Sequence, residues 1–311
     1  MDAYDNSHSW ARYRAILETR FGIVMERSPV ETWRQIGGHD LHIDHWEPEG
    51  EVRGTMILVH GAGGNGRVLA PLADLVAGLG WRVLAPDLPG YGLTRPAPGY
   101  RGDYDVWPGI VAQLAGEIAG PVVLTGLSAG GMTAVFAAGI ARKTDGVIVT
   151  TLLDAGDPDL FVRAARWAWL ARISLVSFRL MPWLIDRLSM PLRLIAPMRL
   201  MSSDVQMNDF FARDRLLGGL WVRLRFFRTL HQRKAKHLAP GCPLLLVHPG
   251  ADAWTPTELS LRVYERIEGP KEFVELSNGS HLPLERPAFD ELQASISRFL
   301  DGPPAGEGGA A

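Results

Sequence analysis

Residues 121–141 read PVVLTGLSAGGMTAVFAAGIA without a charged side chain, and the uncharged run counted from Ile118 is 24 residues long. About 20 apolar residues cross a bilayer, so length and apolarity alone allow a membrane span. However, a serine and four glycines interrupt residues 121–141, and glycine lowers both helix propensity and apolarity. A charge-free run is also typical of a strand covered on both faces of a parallel sheet. That interpretation requires a strand, a turn and a helix.

The stretch divides into those three parts. PVVLT is rich in β-branched residues and predicts a strand, GLSAGG is punctuated by glycine, and MTAVFAAGIA predicts a helix. The segment from Gly126 to Gly130 fits G-x-S-x-G, in which a serine lies on a tight strand-to-helix turn. Glycine is required on either side because a Cβ would clash where strand and helix approach. The N–H groups of the following helix would face any charge formed beside Ser128, so we expect chemistry here rather than an anchor.

Short apolar runs alternate with helix-length segments along most of the chain. The runs that predict strands lie around 39–46, 55–61, 82–88, 121–126, 146–154, 243–250 and 272–277. The predicted helices span roughly 67–79, 103–119, 130–142, 256–268 and 286–300. This alternation predicts the α/β class, with a doubly wound, mostly parallel sheet and helices on both of its faces.

The alternation stops in the segment 157–238, which carries leucine, tryptophan and phenylalanine at helical spacing and no convincing strand. We predict that this segment is an all-helical cap. It would be inserted into a core formed by 31–156 and 239–300. The segment 1–30 is predicted to form a helical extension, and the Gly/Pro/Ala-rich tail 301–311 is predicted to be disordered.

The composition excludes several classes of function. The chain has 311 residues, of which 47% are hydrophobic and 21% charged, and a net charge of −2 gives no case for nucleic acid binding. Cys242 is the only cysteine, which excludes an intrachain disulfide and a cysteine-rich metal site. The N-terminus has no basic region followed by an apolar core, as a signal peptide would, so we expect a cytoplasmic protein. The oligomeric state has no signature in the sequence.

A serine hydroxyl is a weak nucleophile unless a base removes its proton and a third group orients that base. His281 lies between the last predicted strand and a helix, where such a base belongs. Asp252 directly follows the strand PLLLVHP and is the preferred acid. Asp154, at the end of GVIVTTLLD, is the alternative. We favour Asp252 because an acid and a histidine on successive strand ends form the simpler geometry.

A glycine-rich loop, HGAGG at 60–64, follows the predicted strand TMILV. Such a loop supplies one backbone N–H group to an oxyanion hole, and the residue after the nucleophile supplies another. The predicted donors are therefore the N–H groups of Ala62 and Ala129. Supporting roles in the loop and the turn are assigned to His60, Gly61, Gly126 and Gly130.

Histidines and aspartates cluster between residues 39 and 45, which raises the question of a metal site. On a strand, Asp40, His42 and Asp44 share one face, and the neighbouring histidines do not. We therefore interpret the segment as a solvated edge strand, and we predict no metal site. Asp87, in DLPGYG, is expected to make structural hydrogen bonds.

Five motifs together resemble the α/β-hydrolase superfamily, namely HGAGG (60–64), DLPGYGLT (87–94), GLSAGG (126–131), GADAWTP (250–256) and GSHLPLERP (279–287). The order of serine, aspartate and histidine also matches that family. The motifs are most similar to its capped esterase, monoacylglycerol lipase and lysophospholipase-like branches. The resemblance covers about 32–155 and 240–300.

This resemblance implies the α/β-hydrolase fold and serine-dependent hydrolysis of a carboxylic ester through an acyl-enzyme. Ser128, Asp252 and His281 would carry the reaction, with a small-molecule acyl ester as substrate and no metal or organic cofactor. Hydrolysis of a lactone or a C–C bond, or acyl transfer, on the same three residues is the alternative. A member that binds a ligand without catalysis is a further one.

The predicted cap is basic as well as apolar. It contains 13 Arg and 2 Lys against 6 Asp and no Glu, a net charge of +9 in a chain of net charge −2. Four of the chain's tryptophans also lie there, at Trp167, Trp169, Trp183 and Trp221. This combination suits an amphiphilic or medium-chain acyl ester, and it also suits peripheral contact with an anionic membrane. The alternative is that the arginines only solvate the outer faces of cap helices.

Overall fold

The computed structural model describes residues 3–141, 143–235 and 238–302. Its strands are β1 (Val30–Ile36), β2 (His39–Trp46), β3 (Thr55–Val59), β4 (Arg82–Pro86), β5 (Val122–Gly126), β6 (Gly146–Val149), β7 (Ser189–Pro191), β8 (Trp221–Arg223), β9 (Leu244–Pro249) and β10 (Lys271–Leu276). Its α-helices are α1 (His8–Ile16), α2 (Ala70–Gly78), α3 (Val106–Gly116), α4 (Ala129–Ile140), α5 (Pro158–Ala164), α6 (Ala168–Leu180), α7 (Pro182–Ile185), α8 (Val205–Arg213), α9 (Leu224–Gln232), α10 (Thr257–Tyr264) and α11 (Ala288–Asp301).

Eight strands form one sheet in the order β1-β2-β4-β3-β5-β6-β9-β10. The pairs β1–β2 and β2–β4 are antiparallel, and every other pair in the sheet is parallel. The prediction of a doubly wound, mostly parallel α/β sheet is confirmed. Because parallel strands end at the same edge, the loops after β3, β5, β9 and β10 meet there. The residues predicted to carry chemistry lie in these loops, except Ala129, which is the first residue of α4.

The uncharged stretch 121–141 lies at the centre of this sheet. All five residues of β5 are buried, as are those of its neighbours β3 and β6. A strand buried on both faces has no position for a charge, which explains the run. The stretch continues through a turn into α4. Among the described residues, no helix has the length and apolarity required to cross a membrane.

The prediction of a solvated edge strand at 39–46 is wrong. The edge is formed by β1, which the sequence interpretation missed, and β2 lies between β1 and β4. The side chains of His42 and Asp44 are consequently fully buried. The reason for the miss is that β1 exposes most of its residues and therefore lacks an apolar run.

The segment 157–238, which we predict to be an all-helical cap, follows β6 and is not all-helical. Its helices α5 to α9 are joined by a short antiparallel ribbon of β7 and β8, in which Met190 pairs with Val222. Three-residue strands are too short to leave an alternating pattern in the sequence. The N-terminal helix α1 packs on the cap, where the rings of Tyr13 and Phe210 stack 5.3 Å apart. Helix α11 continues to Asp301, inside the predicted tail, and 303–311 lie outside the described residues.

Candidate active site

Ser128 occupies the turn between β5 and α4 in an unusual backbone conformation. Its φ of 57° and ψ of −129° make it the only non-glycine residue with positive φ in the described part of the chain. Such strain is maintained only where the surroundings impose it, and it is common at functional sites. A Cβ on Gly126 would lie 2.2 Å from the carbonyl oxygen of Gly130, and one on Gly130 would lie 2.0 Å from that of Val59. Both flanking glycines are therefore required by close backbone approach.

The strained turn holds Ser128 against the loop that follows β3. A Cβ built on Gly61 would lie 3.2 Å from Ser128 Oγ and 2.7 Å from its Cβ. The N–H groups of Ala62 and Ala129 donate to no acceptor in the part of the chain that the structure describes. Since Ala129 is the first residue of α4, its N–H also lies at the positive end of the helix dipole.

His60 fixes the shape of this loop. The N–H of Leu88 donates to His60 Nε2 at 2.9 Å, so the ring proton lies on Nδ1, which donates to the carbonyl of Gly61 at 2.8 Å. Complete burial lowers the pKa of His60, which keeps the ring neutral. Both ring nitrogens are engaged in hydrogen bonds to the backbone, and the supporting role of His60 stays a prediction.

The structure brings His281 and Asp252 together. His281 Nδ1 donates to Asp252 Oδ2 at 2.8 Å. The second carboxylate oxygen accepts from the N–H groups of Trp254 at 2.8 Å and Thr255 at 2.9 Å. Burial alone would raise the pKa of Asp252, but His281 and the two backbone N–H groups lower it below its ordinary value. A carboxylate held this way fixes both the orientation and the tautomer of the imidazole.

The alternative acid, Asp154, lies in a different network. Its carboxylate accepts from the N–H of Gly156 at 2.9 Å and from Arg266 Nη1 at 3.1 Å. Asp154 therefore pairs with Arg266, which follows α10, and the carboxylate that contacts His281 is that of Asp252.

The far nitrogen of the imidazole, His281 Nε2, is buried and is not used in a hydrogen bond within the described part of the chain. His281, Ser128, Gly61 and Ala62 line one cavity of about 420 Å³. The indole of Trp254 packs on the imidazole with ring centroids 4.5 Å apart, a contact that the sequence interpretation missed.

Comparison with known protein families identifies the family of the chain. Residues 56–289 match the model of the alpha/beta hydrolase family. The chain belongs to this alpha/beta hydrolase family. No curated protein matches it in sequence.

Solved structures place this alpha/beta hydrolase among varied members of the fold. A monoacylglycerol lipase from Paleococcus ferrophilus is 22% identical with a TM-score of 0.64, covering 84% of this chain and 98% of that chain. A soluble variant of monoglyceride lipase from Saccharomyces cerevisiae is 17% identical with a TM-score of 0.70, covering 90% and 97%. Epoxide hydrolase A from Mycobacterium thermoresistibile is 18% identical with a TM-score of 0.60, covering 88% and 99%. At these identities the likeness concerns the fold, which supports more than one chemistry.

A second cavity of about 680 Å³ opens on the other side of Ser128 in this hydrolase, and its walls are mainly apolar. A third cavity of about 750 Å³ lies next to it beneath α6, and the two share four wall residues. The shared residues are Phe161, Ala165, Ile195 and Phe227. All four belong to the cap, whose contribution to the site the sequence could not specify.

A network of charged side chains lies near Gly66, just after the glycine-rich loop. Asp87 accepts from the N–H of Gly66 and lies 3.1 Å from His42 Nδ1, and His42 Nε2 lies 2.9 Å from Glu31. Asp87 therefore makes structural hydrogen bonds, as expected. Glu31, His42 and Asp44 are close enough together to hold a metal ion.

The charge of that network is compensated by an arginine. Arg67 donates to both carboxylate oxygens of Asp44, at 2.7 and 2.8 Å, and lies 3.3 Å from Glu31. Burial nonetheless raises the pKa of Asp44 to about 6. The guanidinium of Arg67 therefore supplies to Asp44 the positive charge that a metal ion would otherwise bring.

Proposed function

We propose that this protein is a serine-dependent carboxylic-ester hydrolase that works through an acyl-enzyme. The observation that carries the proposal is the pairing of His281 with Asp252 through Nδ1. This pairing leaves Nε2 without a partner among the described residues, and His281 lines the same cavity as Ser128, which is held in a strained turn. Nucleophile, base and orienting acid are the three groups that activate a hydroxyl at neutral pH.

In the first half-reaction, Ser128 Oγ attacks the acyl carbon and a C–O bond forms. The serine proton passes to His281 Nε2, and the resulting imidazolium is stabilised by the buried carboxylate of Asp252. Collapse of the tetrahedral intermediate breaks the ester C–O bond, and His281 returns the proton to the leaving alcohol. In the second half-reaction, His281 takes a proton from water, which attacks the acyl-serine. The bond between Ser128 Oγ and the acyl carbon then breaks, His281 returns the proton to Oγ, and the acid is released.

The negative charge of each tetrahedral intermediate requires donors beside Ser128. The unpaired N–H groups of Ala62 and Ala129 are the proposed donors, and His60 holds the first of them in place through its contact with Gly61. Loss of a single donor of this kind typically lowers turnover about 10²–10³-fold. Because both donors belong to the backbone, only changes in loop geometry can remove them.

The two neighbouring apolar cavities support an amphiphilic or medium-chain acyl group as the substrate's acid part. The cavity next to Ser128 is walled mainly by apolar side chains, as sites for apolar groups are. The adjoining cavity beneath α6 extends this apolar space further. The smaller cavity that contains His281 is the proposed place of the leaving alcohol, because that alcohol must receive the proton from Nε2.

Kinetics on a water-soluble aryl ester test the catalytic assignment. Ser128→Ala is expected to lower kcat about 10⁴–10⁶-fold, and Asp252→Asn about 10⁴-fold because the imidazole loses its tautomer and orientation. Asp154→Asn is the matched control, since it removes the same charge from a carboxylate outside the proposed triad. Full activity of Ser128→Ala, or equal losses in the two Asn variants, would contradict the assignment.

A series of aryl esters with increasing acyl length tests the substrate class. We expect kcat/KM to rise from acetyl to octanoyl, because each buried methylene adds favourable transfer free energy of about 0.8 kcal/mol at most. Ser128→Ala is measured alongside as the background. A steep preference for acetyl over octanoyl would reject the medium-chain proposal and leave the triad assignment unaffected.

A further inference from the structure

Helix α6 of the cap exposes large apolar side chains to solvent. Trp169, Ile173, Val176 and Leu180 are 60%, 54%, 58% and 67% exposed. They follow the spacing i, i+4, i+7, i+11, which places them on one face of a helix with 3.6 residues per turn. We call these four residues the α6 face. On the opposite side of α6, Ala171 and Phe178 are buried in the cap. The four apolar side chains of the α6 face therefore do not contribute to the core of the cap.

Basic side chains outnumber acidic ones in the segment that contains α6, where Arg163 is paired with Asp159. Between residues 163 and 203 the chain has seven arginines and a single acid, Asp186. Asp186 is bound by Arg225 and Arg228 of α9. On α6 itself, Arg172 and Arg179 are exposed and form no ion pair among the described residues. The surface around the α6 face therefore carries uncompensated positive charge.

The exposed apolar surface adjoins the mouth of the cavity beneath α6. Trp167, Ile173 and Leu194 are each exposed to solvent and also line that cavity. At Phe161 and Phe227 this cavity borders the apolar cavity beside Ser128. Two neighbouring apolar cavities thus lie between the surface of the cap and the nucleophile.

We propose that the α6 face docks on the surface of an anionic phospholipid membrane, with the cavity mouth toward the lipid. Apolar side chains with tryptophan would enter the headgroup boundary, and Arg172 and Arg179 would contact anionic headgroups. An amphiphile would then pass from the bilayer into the cap without crossing water. The docking itself rests on the surface and does not depend on the proposed ester hydrolysis.

Charge favours a membrane over a second copy of this chain as the occupant. Two copies joined through the α6 face would bring the unpaired arginines of both chains together. Like charges across an interface are unfavourable, whereas an anionic leaflet is complementary to them. Self-association remains a defined outcome of the experiment.

Co-sedimentation of the full chain with vesicles tests the proposal. One set of vesicles is phosphatidylcholine and the other contains about one third phosphatidylglycerol. The wild type is expected to partition onto the anionic vesicles. The double variant Val176→Glu/Leu180→Glu should reduce partitioning by about tenfold or more, because two charges would have to enter the headgroup boundary. Arg172→Gln/Arg179→Gln should reduce it about fivefold per arginine, the fold-change equivalent to about 1 kcal/mol per basic residue near an anionic leaflet.

Val24→Glu is the matched control, because Val24 is 69% exposed and lies outside the cap. This variant should bind vesicles as the wild type does. Thermal unfolding and hydrolysis of a water-soluble ester should be unchanged in all these variants, since neither Val176 nor Leu180 lines a cavity of the site. Ser128→Ala should also bind normally, which separates failure of docking from failure of the proposed catalysis.

Three outcomes would overturn the proposal. The first is no partitioning of the folded wild type onto either vesicle. The second is partitioning that the Val176→Glu/Leu180→Glu variant leaves intact, or that Val24→Glu reduces equally. The third is a concentration-dependent dimer without vesicle binding, abolished by Val176→Glu/Leu180→Glu, which would assign the α6 face to self-association.

Discussion

The close approach of Gly130 to β3 allows a quantitative test of the nucleophile turn. In Gly130→Ala the new Cβ would lie 2.0 Å from the carbonyl oxygen of Val59 and 2.8 Å from that of His60. Ordinary contact begins at 3.4 Å, so the turn and the end of β3 have to separate by the difference, 1.4 Å at the nearer atom. That movement draws Ser128 away from the loop that carries Ala62.

Both activity and stability should respond to this separation. A displacement of about 1 Å at a reacting group can lower the rate by about 10². Overpacking of a close-packed interior costs about 1–3 kcal/mol. We therefore expect kcat/KM on an aryl ester to fall about 10²-fold and the free energy of unfolding, measured in urea, to fall by about 1–3 kcal/mol.

Gly109→Ala provides the control, because Gly109 lies inside α3 with no atom within 4 Å of the added Cβ. Activity should be unchanged, and helix propensity should raise stability by about 0.5–1 kcal/mol. Wild-type activity and stability in Gly130→Ala would refute the close-approach argument. Equal losses of activity in both variants would show that the effect is not specific to the turn.

Three further predictions concern the ionic network and the cavities. Arg67→Met leaves the carboxylate of Asp44 buried without its partner and should lower the free energy of unfolding by about 3–5 kcal/mol. A decrease below about 1 kcal/mol, measured by unfolding in urea, would show that the ion pair is not required for stability. Burial lowers the pKa of His42, but Asp87 and its other acidic neighbours outweigh this effect and raise that pKa above its ordinary value. The stabilisation from His42 is therefore complete below about pH 6.5 and is lost as pH rises through the folded-state pKa. Accordingly, the stability difference between wild type and His42→Gln should shrink from acidic to basic pH, and a constant difference contradicts the argument. Ala165→Trp should obstruct the region between the two cavities and lower kcat/KM for long acyl esters about tenfold more than for short ones. Equal losses of kcat/KM on long and short esters would show that the acyl group binds elsewhere.

The parts of the site that depend on local sequence could be predicted. The turn at Ser128 requires glycines at fixed positions, so its geometry is encoded within a few residues. Asp252 and His281 follow successive strands of a parallel sheet, and such strands end at one edge. Their proximity therefore follows from topology, which the alternation of apolar runs and helical segments indicates.

The parts that depend on distant packing could not be predicted. The walls of the apolar cavities come from different cap helices, and helical spacing does not tell which face of each helix turns inward. Similarly, β1 exposes most of its side chains and leaves no apolar run. Without β1, the sequence predicts that the strand containing His42 forms the edge of the sheet. In the structure the side chain of His42 is buried next to Asp87, which lies 45 positions later in the chain.

Labelling with a fluorophosphonate tests the central claim most directly, because this reagent forms a covalent bond only with an activated serine. Intact mass and peptide mapping of the wild type should show one label per chain, on Ser128. Ser128→Ala should show none, and Asp252→Asn should react far more slowly than Asp154→Asn. Absence of labelling in the folded wild type, or undiminished labelling of Ser128→Ala, would contradict the assignment of Ser128 as the nucleophile.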